Sequence, residues 1–321
     1  MSMPAQFAGR LSIPVIGSPL FIISVPELVI AQCKAGVIGS FPSLNARPLA
    51  QFEEWLQRLN AELGPQDAPY AVNLIVHKSN DRLMADLELC VKYKVPMIIT
   101  SLGARQDVND AIHSYGGIVM HDVINNKFAR KAVEKGADGL IAVAAGAGGH
   151  AGTTSPFALI QEIREWFDGP LALSGSIATG DAVLAAQAMG ADFGYIGSAF
   201  IATEEARAAQ GYKDMIVESA ADDIVYSNLF TGVHGNYLRP SIVKAGMDPD
   251  NLPTSDPSAM NFGSGGNTEA KAWKDIWGCG QGIGAVKQVL PAAELVARLR
   301  REYDAARARL GLATPAALAA E

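Results

Sequence analysis

The sequence predicts an α/β protein in which eight parallel strands close into a barrel and each strand is followed by a helix. One observation is that eight short apolar segments recur along the first two-thirds of the chain and alternate with helical segments. Another is that several of these segments are apolar throughout, as strands covered on both faces should be. In addition, the length of 321 residues suits one barrel domain with insertions.

The predicted strands are short, apolar and often β-branched. In chain order they are Ile13–Gly17, Val37–Ser40, Tyr70–Val76, Pro96–Thr100, Ile118–His121, Gly139–Val143, Leu171–Ser174 and Phe193–Gly197. Eight repeats of strand and helix favour a closed (β/α)8 barrel, the TIM-barrel architecture. An open doubly wound sheet stays as the alternative, because spacing alone does not prove closure.

The segments between the strands carry the signals of helix ends. Ser155 before Pro156 is typical of an N-cap followed by proline at the first helical position. Gly36, Gly136 and Gly190 fall where helices should stop and the chain must turn into the next strand. The predicted helices are Pro26–Ala35, Pro48–Leu63, Asp81–Tyr93, Asn125–Lys135, Ser155–Phe167 and Asp181–Met189.

The composition changes after the eighth strand. Tyr226–Gly284 is rich in glycine and proline, and a structureless loop of that length is unusual in a compact domain. We therefore expect residues 226–284 to form a small lid over the barrel mouth, with residues 1–225 and 285–321 forming the barrel. Pro291–Leu312 is predicted to be a long amphipathic helix that closes the fold.

Charge and cysteine content limit the class of protein. The formal net charge of −7 disfavours nucleic acid and anionic membranes as partners, because both bind clustered Lys and Arg. Cys33, Cys90 and Cys279 follow no metal-ligand spacing, so we expect no metal site. Their odd number and the lack of a signal-peptide or membrane-spanning pattern predict a cytoplasmic protein. The expected partner is a small molecule, with a homodimer left open.

Two loops of the predicted barrel suit a phosphate group. Active sites of such barrels form at the C-terminal ends of the strands, and phosphate commonly binds after strands seven and eight. Strand seven ends in Ser174, Gly175 and Ser176, and strand eight ends in Gly197 and Ser198. Small residues, hydroxyl groups and backbone N–H groups beside helix starts can bind a dianion. Tight turns without a ligand are the alternative, but two such loops favour phosphate.

Strand six runs into a glycine-rich loop that contains a single histidine. The loop reads AGAGGHAG over residues 145–152. Gly148 and Gly149 allow the backbone to approach a flat ligand closely. The imidazole of His150, at the catalytic end of a strand, could serve as acid, base or hydrogen-bond donor. A lone histidine is more often structural, but this position favours a catalytic role for His150.

Three further positions are candidates for ligand contact. Asn73 lies in an otherwise apolar strand, so its amide needs a buried partner, either a structural hydrogen bond or the pyrimidine edge of a flavin. His121 precedes Asp122 at the end of strand five, where we expect it to face the barrel mouth. Gln281 is surrounded by alternating glycines in Trp277–Gly284. Such a pattern indicates that the backbone packs closely against another group, such as the edge of a cofactor.

These motifs together resemble the nitronate monooxygenase (2-nitropropane dioxygenase) family of FMN-dependent barrels. The resemblance covers most of the chain. It rests on Pro14–Phe21, Ala71–Asn73, Gly136–Leu140, Ala147–Gly152, Ser174–Ser176, Gly197–Ser198 and Trp277–Gly282.

The resemblance implies FMN bound without a covalent link at the barrel mouth. Its phosphate would lie on Ser174–Ser176 and Gly197–Ser198, with the ring above Gly148 and Gly149. His150 matches the histidine proposed in this family as the base or electrostatic partner of the substrate. The residues implied to contact the ring and ribityl chain are Ser18, Pro19, Leu20 and Asn73.

Two departures from the family pattern suggest a divergent branch. Some members carry a lysine near the end of strand five, where His121 would have to take its place beside the pyrimidine ring. Many nitronate oxidisers begin the strand-six loop with Gln-Gly, whereas this chain has Ala145 and Gly146.

The leading interpretation is therefore an oxidoreductase that oxidises alkyl nitronates with FMN and O2. The alternative is an NAD(P)H-dependent FMN reductase of a quinone or an enoyl thioester, which the size of the lid favours. A third interpretation is a phosphate-binding barrel without redox chemistry, such as an aldolase or an isomerase.

Overall fold

The eight predicted strands are present and form one parallel sheet. The computed structural model describes residues 4, 7–255 and 276–312. The sheet strands, in chain order, are β1 Val15–Gly17, β2 Gly39–Pro42, β3 Tyr70–Ile75, β4 Met97–Ser101, β5 Ile118–Val123, β6 Gly139–Val143, β7 Leu171–Ser174 and β8 Phe193–Ile196. Each overlaps its predicted segment.

The sheet closes between its first two strands. Its order is β1-β8-β7-β6-β5-β4-β3-β2, so β1 and β2 are the two edges. Ile16 of β1 forms a parallel bridge with Ile38, just before β2. The N–H of Gly17 donates to the carbonyl of Ile38 at 2.7 Å. The predicted TIM barrel is therefore confirmed, and the open sheet is excluded.

Helices alternate with the strands and cover the outside of the barrel. Seven connect consecutive strands, and a long C-terminal helix, α11, lies where Pro291–Leu312 was predicted to be helical. In chain order the helices are α1 Pro26–Lys34, α2 Leu49–Glu62, α3 Leu83–Lys92, α4 Gln106–His113, α5 Asn126–Glu134, α6 Pro156–Arg164, α7 Gly180–Met189, α8 Ser198–Ile201, α9 Gln210–Glu218, α10 Arg239–Lys244 and α11 Ala292–Arg309.

Helix ends follow the predicted signals with one difference. Gly190 ends α7 with a φ of 113°, a conformation that favours glycine. Ser155 precedes α6 as predicted, but its side chain makes no capping hydrogen bond. Thr179 and Asn125 do cap their helices, accepting hydrogen bonds from the N–H groups of Ala182 and Phe128.

Alternation along the strands divides the core into two parts. One row of residues on each strand faces the inside of the barrel, and the other row packs against the helices. The inward row includes Met120 of β5, which belongs to the barrel-interior cluster. Its neighbours Val119 and Val123 belong to the clusters between sheet and helices.

A small antiparallel sheet, the cap sheet, lies beside the barrel mouth. Its strand Ile224–Ser227 crosses the predicted start of the lid at Tyr226, and its strand Gly235–Leu238 lies within the predicted lid. The third strand is Gly149–His150, from the loop after β6. The sequence did not predict this pairing of the histidine loop with the lid. Residues 256–275 of the predicted lid lie outside the described residues.

Candidate functional site

The loops after β6, β7 and β8 meet the glycine-rich segment 277–284 at the C-terminal end of the barrel. The carbonyl oxygen of Gly146 accepts hydrogen bonds from the N–H groups of Ser176, at 3.3 Å, and Gln281, at 2.9 Å. The N–H of Gly280 donates to Ser198 Oγ at 2.9 Å. Segments far apart in sequence therefore form one compact floor at the mouth.

Close backbone packing explains the glycines of this floor. A Cβ atom on Gly280 would lie 2.6 Å from the carbonyl oxygen of Gly146, and one on Gly148 would lie 2.8 Å from the N atom of Gly280. A Cβ on Gly282 would lie 2.8 Å from the carbonyl carbon of Ser176. The sequence predicted that the backbone of residues 277–284 packs closely against another group. In the structure, the groups nearest to Gly280 and Gly282 are the loops after β6 and β7.

The β7 and β8 loops carry the donors that a phosphate group requires. Gly175 and Ser176 both have positive φ, 139° and 58°, and the Ser176 side chain is exposed. In the described part of the chain, the N–H groups of Gly175, Gly197 and Ser198 have no backbone carbonyl partner. Ser176 is exposed and Gly197 and Ser198 are partly exposed, whereas Gly175 is buried. N–H groups without a backbone partner and hydroxyl donors at two adjacent strand ends fit an anionic ligand.

The loop after β1 borders this donor cluster. The N–H of Ser18 donates to the carbonyl of Ile196 at 2.8 Å. A Cβ on Gly197 would lie 3.4 Å from both Leu20 Cδ2 and Ser18 Cβ. Ser18, Pro19 and Leu20 are partly exposed, so the structure brings this predicted group next to the β8 loop.

A hydrogen-bond chain crosses three strands inside the mouth. Asn73 Nδ2 donates to the carbonyl of Ile99 at 3.0 Å and to Ser101 Oγ at 2.8 Å. Ser101 Oγ in turn donates to Asp122 Oδ2 at 2.5 Å. The Asn73 amide nitrogen therefore makes structural hydrogen bonds within the protein. This is one of the two roles that the sequence left open for it, the other being contact with the pyrimidine edge of a flavin.

His121 does not join the residues at the mouth. Met120 faces the barrel interior, so alternation turns His121 outward and brings Asp122 back to the inner face. His121 Nδ1 lies 2.6 Å from Thr100 Oγ1, and burial lowers the pKa of this imidazole. The side chain that β5 presents to the mouth is Asp122, which the sequence analysis did not select.

His150 lies in the cap sheet, paired with Gly235. Its Nε2 atom is 3.0 Å from Thr231 Oγ1, and Thr231 Oγ1 can donate to the carbonyl of Val233 at 3.0 Å. Surrounding protein lowers the pKa of His150 to about 4, although part of the residue stays accessible. The imidazole is therefore neutral at pH 7 and can accept a proton.

The cap sheet supplies residues to which the sequence assigned no role. Thr231 contacts His150, and the Tyr237 hydroxyl interacts with Thr231. Asn236 Nδ2 donates to the carbonyl of Ala147 at 2.6 Å, which fixes the glycine loop to the cap. These contacts join residues about eighty positions apart, so no local sequence pattern could indicate them.

Two features are absent from the described part of the chain. No cluster of three or more His, Cys, Asp or Glu side chains there could hold a metal ion. Likewise, none of the helices in the described ranges combines the length and the apolar character needed to cross a membrane.

Comparison with known proteins gives consistent matches. A family model described as nitronate monooxygenase matches residues 46–302. A nitronate monooxygenase of Paraburkholderia phytofirmans is 27% identical, over 90% of this chain and 92% of that protein. The solved structure of nitroalkane oxidase from Streptomyces ansochromogenes has a TM-score of 0.81 at 23% identity, covering 95% of this chain and 100% of that one.

A relative with a different name also matches. It is (3aS,4S,5R,7aS)-5-hydroxy-7a-methyl-1-oxo-octahydro-1H-indene-4-carboxyl-CoA dehydrogenase of Rhodococcus jostii. It is 23% identical over 72% of this chain and 64% of its own length. The chain is thus similar to proteins named for two different reactions.

Proposed function

Since this chain belongs to the nitronate monooxygenase family and is a flavin-dependent oxidoreductase, we propose that it binds FMN and oxidises alkyl nitronates with O2. The observation that carries the proposal is a neutral histidine at the mouth of a barrel whose β7 and β8 loops offer donors for a phosphate group. FMN would supply the redox chemistry, taking electrons from the substrate and passing them to oxygen.

The donor cluster supports FMN as the form of flavin. Gly175, Ser176, Gly197 and Ser198 would bind the phosphate through backbone N–H and hydroxyl groups. Gly148 and Gly149 follow in the neighbouring loop, where Gly148 is exposed and has no side chain to block a flat ring. Ser18, Pro19, Leu20 and Asn73 remain candidates for ring and ribityl contacts. The outward position of His121 does not support a contact with the ring.

His150 would act on the substrate. A neutral imidazole can take the Cα proton of a nitroalkane or hydrogen-bond to the oxygens of a nitronate. Because the His150 pKa lies near 4, the residue carries no positive charge at neutral pH. We therefore assign to His150 the role of base or hydrogen-bond partner.

One alternative function has a specific observation in its favour. The Rhodococcus relative is named for a carboxyl-CoA substrate, which is an activated thioester. The alternative is an NAD(P)H-dependent reductase of a quinone or an enoyl thioester. A barrel without redox chemistry is the least supported function.

Anaerobic mixing of the purified protein with each reductant separates the two reactions. We expect a yellow protein that releases FMN on denaturation and whose flavin absorbance is bleached by propionate 3-nitronate. Bleaching by the nitronate but not by NADH, together with oxygen uptake in a separate aerobic assay with the nitronate, would support nitronate oxidation. Bleaching by NADH alone would support the reductase, and a colourless protein would exclude both.

The role of His150 needs a separate test. His150→Ala should retain FMN, since the donors assigned to the phosphate lie on other loops, and should lose most of its turnover. Full turnover in this variant would refute the assignment of His150, while leaving the cofactor assignment intact.

A further inference from the structure

We propose that Asp122 contacts the flavin and makes its reduction depend on proton uptake at this carboxyl group. The proposal rests on the FMN site proposed above. It assigns to Asp122 the position beside the ring that the sequence analysis gave to His121.

A polar layer at the mouth of the barrel contains Asp122. Just below it, the barrel interior is apolar and includes Ala71, Ile99, Met120 and Phe193. Two positions further along the same strands, on the same inward row, the chain changes to polar side chains. These are Asn73, Ser101, Asp122 and Tyr195. The layer lies at the end of the barrel where the phosphate donors lie, so a flavin bound there would rest against it.

The hydrogen bonds within this layer run in one direction. The Nδ2 atom of Asn73 can only donate hydrogen bonds, and one of its N–H groups donates to Ser101 Oγ. The single hydroxyl proton of Ser101 is then available for Asp122 Oδ2. Among the described residues, Asp122 Oδ1 has no hydrogen-bond partner, and the side chain is partly accessible. One carboxyl oxygen is therefore held by the protein while the other remains for a ligand.

Among the residues that the structure describes, no cation balances this carboxyl group. In the described ranges, no Lys or Arg forms an ion pair with Asp122. The titratable groups near it are Tyr195 of β8 and His121, which faces the other side of β5. Burial raises the pKa of Asp122, which favours the neutral acid.

The two protonation states would affect a bound flavin differently. A neutral carboxylic acid can donate a hydrogen bond to a carbonyl or nitrogen of the ring, as buried acids do in other sites. A carboxylate would repel the electron density that arrives on reduction. Reduction therefore favours the protonated form, and loss of the proton at high pH should make the flavin harder to reduce.

The midpoint potential of the FMN-loaded protein, measured against pH, tests the proposal. Asp122→Asn keeps a hydrogen-bond donor but removes the titration. Above the pKa of the acid, the variant should hold at least a tenfold higher ratio of reduced to oxidised flavin at a fixed potential. That is about 30 mV for a two-electron couple. Below the pKa, the two curves should coincide. Asp214→Asn, at an exposed carboxylate of α9, is the matched control and should follow the wild type.

A second variant covers the case in which Asp122→Asn folds poorly. Ser101→Ala removes the hydroxyl that stabilises the carboxylate, so the acid should hold its proton to higher pH. The break in the curve of potential against pH should move to higher pH. An unmoved break, or curves of wild type and Asp122→Asn that agree at every pH, overturns the proposal. A wild-type protein that binds no FMN overturns both this inference and the proposed function, whereas coincident curves overturn only the inference.

Discussion

His150 Nε2 lies 3.0 Å from Thr231 Oγ1, so the residue assigned to act on the substrate is held by the cap sheet. The Thr231 hydroxyl group can donate a hydrogen bond to the carbonyl of Val233. In that case Thr231 Oγ1 accepts a hydrogen bond from an N–H group of His150. That arrangement places the proton on Nε2 and orients the ring.

Thr231→Val should lower kcat about tenfold, the effect of one lost hydrogen bond of about 1.4 kcal/mol, with little change in KM. Valine keeps the branched shape but cannot hold the imidazole. Steady-state kinetics of wild type, Thr231→Val and Thr231→Ser would measure the effect, and serine should restore most of the rate. If valine and serine behave alike, the hydroxyl group has no role in orienting His150.

Acid should destabilise the wild type more than His150→Gln. The pKa of His150 is about 4 in the folded protein, below the ordinary value, so between these two values the unfolded chain binds the proton more tightly. The folded state therefore loses stability as pH falls through this range. Partial accessibility limits the difference to on the order of 1 kcal/mol between pH 7 and pH 5.

Denaturant unfolding of both proteins at the two pH values measures this difference. Equal losses of unfolding free energy in wild type and His150→Gln would contradict the lowered pKa.

Gly280→Ala should weaken both the fold and the binding of FMN. The new Cβ would lie 2.6 Å from the carbonyl oxygen of Gly146 and 2.8 Å from the N atom of Gly148, and backbone atoms cannot move aside cheaply. We expect a loss of about 1–3 kcal/mol in the free energy of unfolding. In Gly284→Ala the nearest atom, Cα of Ala220, would lie 3.9 Å away, so this control should be nearly neutral. Thermal unfolding and FMN titration of the two variants provide the comparison.

Gln32→Met should stabilise the protein by about 1 kcal/mol. Gln32 is fully buried in α1 beside β1 and β2, and neither its Nε2 nor its Oε1 has a hydrogen-bond partner in the described part of the chain. Methionine has a similar length and no amide to desolvate. Gln187→Met should instead destabilise, because Gln187 Oε1 accepts a hydrogen bond from Tyr303 at 2.5 Å. A lower Tm for Gln32→Met than for the wild type would contradict this reading of the buried amide.

Much of the barrel could be predicted because its signals are local. Apolar runs and glycine helix ends lie within each strand–helix unit, so Tyr70–Ile75 and the end of α7 at Gly190 were found from neighbouring residues alone. Convergence of the Ser176 and Ser198 loops followed from the common direction of parallel strands.

The differences at the site between expectation and structure have a geometric origin. His121 and Asp122 are adjacent, and a shift of one residue decides which of them faces the mouth. The inward position of Met120 settles the choice, but it becomes known only once the barrel register is known. Thr231 could not be assigned, because its contact with His150 depends on a sheet formed by two distant segments.

The shared strand Gly149–His150 limits how this enzyme can be rebuilt. In many barrels a capping insertion can be exchanged like a module, leaving the catalytic loops in place. Here removal of Gly235–Leu238 would also remove the hydrogen-bonding partner of the histidine loop. A chimaera with a relative would therefore have to take both segments from the same parent. Changes to the cap would also reposition His150, to which we assign the role of base or hydrogen-bond partner.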